Sequence, residues 1–341
     1  VAGFRVAVVG ATGLVGRTIL QVLEERHFPV DRLIPLASER SAGRRIVFDG
    51  KEVEARALGE ESFQGCDIAF FSAGASVSRH FAPIAARTCA YVIDNSSAFR
   101  MDPVIPLVVP EVNGHVLEGY RGIVANPNCS TAQMVVALQP LHQTFGLELV
   151  VVSTYQSVSG TGEKGVRALR AEIETGVRPD DSPYAHPIAF NALPHIDVFD
   201  QEGWSGEERK MIAETRKIMD LPHLAVVPTT VRVPVYVGHS ESIYLRFARP
   251  IDADAARQVL VGAPGVIVQD DPAANRYPLA IEVAGHDEVY VGRIRAVPDD
   301  DRALALWVVG DNLRKGAASN AVQIAETVQH TLQPNREARY A

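Results

Sequence analysis

Apolar positions along this chain fall into two regimes that change near residue 128. In the first, short unbroken apolar runs alternate with a helical pattern. FRVAVVG (4–10), LIPLAS (33–38), IAFFSAG (68–74) and YVIDNSS (91–97) each read as a strand buried on both faces, with no polar side left to alternate. Thr12 to Glu25 carries Leu14, Ile19, Val22 and Leu23 at helical spacing. Buried strands alternating with helices predict a parallel sheet covered on both sides. In the second regime the runs are longer: LELVVVSTYQSVSG (147–160), VVPTTVRVPVYVG (226–238), HSESIYLRFA (239–248) and YVGRIRAV (290–297). These predict a mostly antiparallel sheet with one exposed apolar face suited to another subunit. Thr175 to Asp200, with four prolines and no period, reads as an extended excursion, and a last helix is expected from Leu313 to about Leu332. The fold class is α/β with an α+β second part.

Composition narrows the setting. A chain of 341 residues has room for about two domains, and 47% apolar with 22% charged residues is ordinary for a soluble globular protein. The three cysteines, Cys66, Cys89 and Cys129, form no framework, which points to a reducing compartment. An apolar strand starts within five residues of the N-terminus, leaving no room for a signal peptide, and no run approaches a membrane span. The expected location is cytoplasmic. A net charge of −8 argues against nucleic acid as a partner, yet arginines converging in a cleft would still admit an anionic small substrate.

Two segments carry chemistry. Gly10, Gly13 and Gly16 lie between a strand and a helix, where glycines allow a tight turn and let a dinucleotide pyrophosphate approach the helix N-terminus. This is the sign of a Rossmann-type unit. After the second strand, Ser38-Glu39-Arg40-Ser41 offers an arginine between hydroxyls, which suits the 2′-phosphate of NADP, with Glu39 turned away. Cys129 sits in VANPNCSTAQM, at the start of an apolar helix. Unpaired N–H groups and the helix dipole there favour thiolate over thiol.

GATGLVG (10–16), SERSAG (38–43), DNSSAFR (94–100), VVPEVN (108–113), ANPNCSTAQM (125–134), STYQSVSGTG (153–162), AETRK (213–217), RVPVYVGHSES (232–242) and GDNLRKGAA (310–318) occur in this order. Together they resemble the aspartate-semialdehyde dehydrogenase family nearly end to end. The resemblance implies NADP-linked interconversion of L-aspartate 4-semialdehyde plus phosphate with L-aspartyl 4-phosphate. That step leads towards lysine (through diaminopimelate), threonine, methionine and isoleucine.

It further implies a Cys129 thioester, with His239 as acid/base and Gln156 at the reacting end of the substrate. Arg232 would grip the substrate carboxylate, Arg100 and Lys217 the phosphate, while Glu214 orients substrate groups. Gly10, Thr12, Gly13, Leu14, Val15, Gly16, Ser38, Arg40, Ser41, Ser159, Gly160 and Asn312 would bind NADP. The Asn312 assignment implies a discontinuous cofactor domain, 1–128 completed by helix 313–341, around a catalytic and dimerisation domain, 129–312. A homodimer is expected, with pairing into tetramers left open.

Because Arg232 and His239 are seven positions apart, strict alternation would put them on opposite faces, so a bulge or turn near Gly238 must intervene. His186, His195, Glu241, His286 and Glu288 show no ligand spacing, and no metal is expected. Two rivals remain: N-acetyl-γ-glutamyl-phosphate reductase, which shares chemistry and architecture, and a catalytically dead NADP-binding paralogue. The SERSAG, AETRK and RVPVYVGHSES segments weigh against the first, and the presence of Cys129, Gln156, Arg232 and His239 against the second.

Overall fold

The computed structural model describes residues 3–337. The chain divides into two compact units, one formed by Val1–Pro127 with Ala317–Ala341 and the other by Asn128–Gly316. The expected helix 313–341 ends in residues 338–341, which lie outside the described residues.

The first unit contains strands β1 (Phe4–Val9), β2 (Val30–Ala37), a hairpin of β3 (Arg45–Phe48) and β4 (Lys51–Glu54), then β5 (Arg56–Ala57), β6 (Ile68–Phe71), β7 (Tyr91–Asp94) and β8 (Gly122–Ala125). Helices α1 (Leu14–Glu25), α2 (Ala75–Ala85) and α3 (Pro110–Asn113) connect them. Six strands pair in the order β5-β2-β1-β6-β7-β8, every pair parallel. The order reverses direction at β1, and ligands of such sheets bind beyond the strand ends at that point. Val6, Ala7, Val8, Ile68, Phe70, Val92 and Ile93 are fully buried, as unbroken apolar runs require. Helix α1 turns Gly16, Ile19, Leu20 and Leu23 inward, the i, i+3, i+4, i+7 set of one face.

A C-terminal helix, Ser319–Glu337, packs Ala321, Val322, Ile324, Ala325, Val328 and Leu332 into the same cluster as Val6, Val8 and Ile93. Arg26 at the end of α1 grips Glu326 through Nε (2.8 Å) and Nη2 (2.7 Å). This helix was expected to start at Leu313. It is instead preceded by a π-helical turn, Arg314–Ala318.

The second unit holds α4 (Cys129–Phe145), β9 (Leu147–Gln156), α5 (Glu163–Thr175), α6 (Gly206–Ile218), β10 (Ala225–Arg232), β11 (His239–Phe247), α7 (Ala253–Val261), β12 (Val266–Val268), α8 (Ala280–Val283), β13 (Val289–Val297) and β14 (Asp300–Gly310). Its sheet order is β10-β9-β11-β14-β13-β12. The three central pairings are antiparallel and the two outer ones parallel, so the sheet is mixed but mostly antiparallel. Helices α4 and α6 cover one face. The other face leaves Val151, Tyr155 and Val227 exposed, with the Tyr155 and Trp307 rings 5.4 Å apart.

One expected strand is shorter than its pattern. VVPTTVRVPVYVG stops pairing at Arg232, because Pro234 has no N–H for a ladder and the Val235 N–H turns back onto the Val233 carbonyl. The link 233–238 ends at Gly238, whose φ of +95° suits glycine. It supplies the turn that the odd offset between Arg232 and His239 demanded. Residues 176–205 carry no helix or long strand, only isolated bridges such as Leu193 with Arg232. Among the described residues no helix is long and apolar enough to cross a membrane.

Candidate active site

In the first unit the turn from β1 to α1 is shaped for close approach. Gly10 has φ +84°, and a Cβ on Gly16 would lie 2.1 Å from the Gly10 carbonyl oxygen, so only hydrogen fits there. Thr12, Gly13, Leu14 and Val15 complete the turn, and the Arg17 guanidinium closes onto the Thr12 carbonyl (2.9 Å). No side chain caps the N-terminus of α1 and its first turn has no acid, which leaves backbone donors for an anion. Beyond β2, Glu39–Ser41 forms a 3-10 turn in which Ser38, Glu39 and Arg40 are exposed and Ser41 is buried. Arg100 also belongs to this unit. It is buried and donates from Nε to the Asn126 carbonyl (2.9 Å) and from Nη2 to the Asn95 carbonyl (2.8 Å).

The second unit brings together most of the other candidates. Asn128 is the N-cap of α4, its Oδ1 accepting from the Ser130 (3.0 Å) and Thr131 (3.3 Å) N–H groups. Cys129 is therefore the first helical residue, half-buried, with Sγ 3.2 Å from His239 Nε2. His239 begins β11 with no exposure. Its Nδ1 receives the Ser157 N–H (3.0 Å) and lies 3.1 Å from Ser157 Oγ, whose own proton goes to Asn312 Oδ1 (2.9 Å). Nδ1 thus turns its lone pair towards the Ser157 N–H, which puts the proton of the neutral ring on Nε2, beside the Cys129 sulfur. Burial, reinforced by the Arg232 charge, holds the imidazole well below its ordinary range, so it is neutral at neutral pH.

Arg232 ends β10 directly beside Gln156, its register partner on β9. One guanidinium nitrogen donates to the Ser157 carbonyl (2.6 Å). The residue also lines a cavity of about 230 Å³ shared with Thr161, Tyr184, His186, Leu193 and His195. Gly160, in the 3-10 turn Val158–Thr161, lies against both key side chains: a Cβ there would come 2.9 Å from Arg232 Nη1 and 3.4 Å from the His239 ring. Ser159 Oγ and Asn312 Nδ2 bond at 2.9 Å, and Asn312 Oδ1 also takes the Gly238 N–H (2.9 Å). Glu214 on α6 is buried and accepts the Asn128 N–H (2.6 Å), so it braces the residue before the cysteine. Lys217, one turn further along α6, is half-buried.

Four residues of this network were not singled out from the sequence. Ser157 orients His239, Asn128 caps the cysteine helix, and Thr154 and Glu207 hold Gln156 at 3.0 Å each. Asn128 was legible in principle, as an Asn just before an apolar helix. Glu241, considered only as a metal ligand, is fully buried with neither oxygen hydrogen-bonded. Burial pushes its carboxyl well above the usual range, against the pull of the Gln133 amide. Among the described residues no group of three or more His, Cys, Asp or Glu could hold a metal ion.

Residues 5–120 match the family model for the NAD binding domain of semialdehyde dehydrogenase, and residues 138–315 match the model for its dimerisation domain. An aspartate-semialdehyde dehydrogenase of Aquifex aeolicus is 55% identical over 331 residues, 95% of this chain and 97% of that protein. This chain belongs to the aspartate-semialdehyde dehydrogenase family. The crystal structure of Vibrio cholerae aspartate semialdehyde dehydrogenase II complexed with ASA superposes on this family member with a TM-score of 0.92 at 45% identity, covering 96% of this chain and 98% of that one. The Candida albicans aspartate semialdehyde dehydrogenase with NADP gives 0.74 at 27% identity, covering 96% and 98%. The dehydrogenase is thus an oxidoreductase with a Rossmann-type nucleotide-binding unit and a dimerisation domain.

Proposed function

We propose that this chain interconverts L-aspartyl 4-phosphate and L-aspartate 4-semialdehyde plus phosphate, with NADP as the cofactor and a thioester on Cys129. The observation that carries this reading is the Cys129–His239 contact of 3.2 Å, with Arg232 and Gln156 meeting at the same strand end. In the reductive direction the Cys129 sulfur attacks the acyl carbon. The C–S bond forms as the C–O bond to phosphate breaks, and phosphate leaves. NADPH, when bound, supplies the hydride that reduces the thioester. The oxyanion that hydride addition leaves on the former carbonyl, held by the His239 ring, then collapses: the C=O bond re-forms as the C–S bond breaks, releasing the aldehyde and restoring the thiolate.

Arg232, with the adjoining cavity, would bind the substrate carboxylate, and Gln156 would donate to the reacting oxygen. Glu214 would orient substrate groups and Lys217 would bind phosphate; Arg100, in the first unit, is the other residue to which the family resemblance gives a phosphate role. The uncapped α1 N-terminus and the crowding that only glycine tolerates at position 16 fit a dinucleotide pyrophosphate. Gly10, Thr12, Gly13, Leu14, Val15 and Gly16 would hold it. Exposed Arg40, between Ser38 and Ser41, would receive the 2′-phosphate that distinguishes NADP, while Ser159, Gly160 and Asn312 would face the nicotinamide end. On this reading the cofactor domain is 1–128 with 313–341, and 129–312 is the catalytic and dimerisation domain.

The open sheet face bearing Val151, Tyr155 and Val227 supports a homodimer. The three free cysteines fit the cytoplasm. The physiological role is the shared step towards lysine and diaminopimelate, threonine, methionine and isoleucine. The test is phosphate-dependent reduction of NADP by aspartate semialdehyde, run with the wild type and with Cys129→Ala. Loss of turnover in the variant is expected. Equal rates would remove the mechanism, and preference for the N-acetylglutamyl aldehyde would remove the substrate.

A further inference from the structure

Gln156 makes two hydrogen bonds, and both ends of its amide are chemically determined. At one end, Thr154 Oγ1 lies 3.0 Å from Gln156 Oε1. That hydroxyl already accepts the Val231 N–H (3.3 Å), so its own proton is turned towards the Gln156 oxygen. At the other end, Gln156 Nε2 lies 3.0 Å from Glu207 Oε1. The same carboxylate oxygen takes the Asn128 Nδ2 proton (2.8 Å), and Lys210 Nζ stands 3.4 Å from Oε2. Among the described residues, three donors and no acceptor face Glu207. Reversing the Gln156 amide would press its carbonyl oxygen against this buried carboxylate with no proton between the two oxygens, a costly arrangement away from water. The amide therefore has one orientation, with one N–H given to Glu207. The second N–H has no partner among the described residues.

The anchor stands without Gln156. Glu207 is the second residue of α6, whose start is fixed by a reciprocal Ser205–Glu208 capping box and by the Thr230 N–H bonding Glu208 Oε1 (3.0 Å) on strand β10. Lys210 in turn is held by Asp197 (2.6 Å). We propose that Glu207, with Thr154, is a positioning residue: it clamps the Gln156 amide so that its remaining N–H donates to the oxygen of the reacting carbonyl. This rests on the reading of Gln156 given above. Glu207 acts through Gln156 and does not touch substrate.

The test is a set of steady-state measurements on Glu207→Ala, Glu207→Gln, Gln156→Ala and the Glu207→Ala/Gln156→Ala double variant. Misdirecting a donor by about 1 Å costs on the order of 100-fold, so Glu207→Ala is expected to lower kcat roughly 10- to 100-fold with KM nearly unchanged. Glu207→Gln, whose carbonyl oxygen can receive the same two N–H groups, is expected to recover most of that loss. The double variant is expected to be no slower than Gln156→Ala alone, because the two changes remove one interaction. Iodoacetamide should alkylate Cys129 at the wild-type rate in Glu207→Ala.

Three results would overturn the proposal: wild-type kcat in Glu207→Ala, multiplicative losses in the double variant, or alkylation falling in step with kcat. The last would mean that Glu207 acts through the Asn128 cap instead. Should Glu207→Ala not fold, Thr154→Val releases the other end of the clamp and is expected to show the same fall in kcat at unchanged KM; an unchanged kcat there counts equally against the clamp. Wild-type turnover in Gln156→Ala would instead overturn the role of Gln156 itself, which separates the two failures.

Discussion

Replacing Glu241 with Gln should stabilise the second unit, and the gain should grow with pH. In the native state this carboxyl is fully buried with neither oxygen hydrogen-bonded, and burial raises it well above its usual range. The unfolded chain ionises it near the ordinary value of about 4.3. Above that pH the folded state holds one proton more than the unfolded state, so stability falls by about 1.4 kcal/mol per pH unit until the folded group itself titrates. Glutamine has nearly the same shape and no proton to hold. Its advantage should therefore widen as the pH rises from 5, by up to about 1.4 kcal/mol per unit, and level off once the folded carboxyl ionises.

Neutral His239 acts in the opposite direction. Below about 6.5 the unfolded imidazole binds a proton that the buried ring refuses, so its contribution to stability rises with pH. The wild-type curve alone can look flat for this reason, and only the difference between variant and wild type isolates Glu241. The assay is urea unfolding at pH 5, 6 and 7, followed by tryptophan fluorescence. Both tryptophans, Trp204 and Trp307, lie in the second unit, so the signal reports the right transition. An advantage that stays constant across the three pH values would mean that Glu241 is already ionised in the fold, and the argument from burial would fail.

The low proton affinity of His239 also bears on catalysis. The acid limb of kcat/KM is expected below about 6.5, the ordinary imidazole value, and a midpoint at or above it in a pH-rate profile would contradict a ring kept neutral by burial and Arg232. Gly16→Ala should abolish nucleotide binding and lower stability, since the new methyl group would stand 2.1 Å from the Gly10 oxygen. Isothermal titration with NADPH and a thermal melt would check this, and binding at wild-type affinity would show that the turn yields.

The strands of the parallel sheet were legible because strands covered on both faces need continuous apolar runs, as in Ile68–Phe71. The β3–β4 hairpin was missed although Ile46-Val47-Phe48 and the Asp49-Gly50 turn mark it, because the apolar run is only three residues long and the partner strand Lys51–Glu54 is mostly charged. The break after Arg232 was hidden because VPVYV keeps strand-like composition while its backbone turns. In the active site, Cys129 was readable from its place at a helix start. Ser157, Thr154 and Glu207 were not, because their roles depend on α6, β9 and β10 meeting in space and no local pattern records that meeting.

The C-terminal helix has a consequence for biosynthesis. Ala321, Val322, Ile324, Ala325, Val328 and Leu332 fill one flank of the cluster that Val6 and Val8 begin. A nascent chain emerging from the ribosome therefore holds β1 and its neighbours unfinished until residues 319–332 have left the tunnel, whereas Asn128–Gly316 is contiguous and can complete its sheet earlier. The strands before residue 128 precede the second unit in synthesis and follow it in closure.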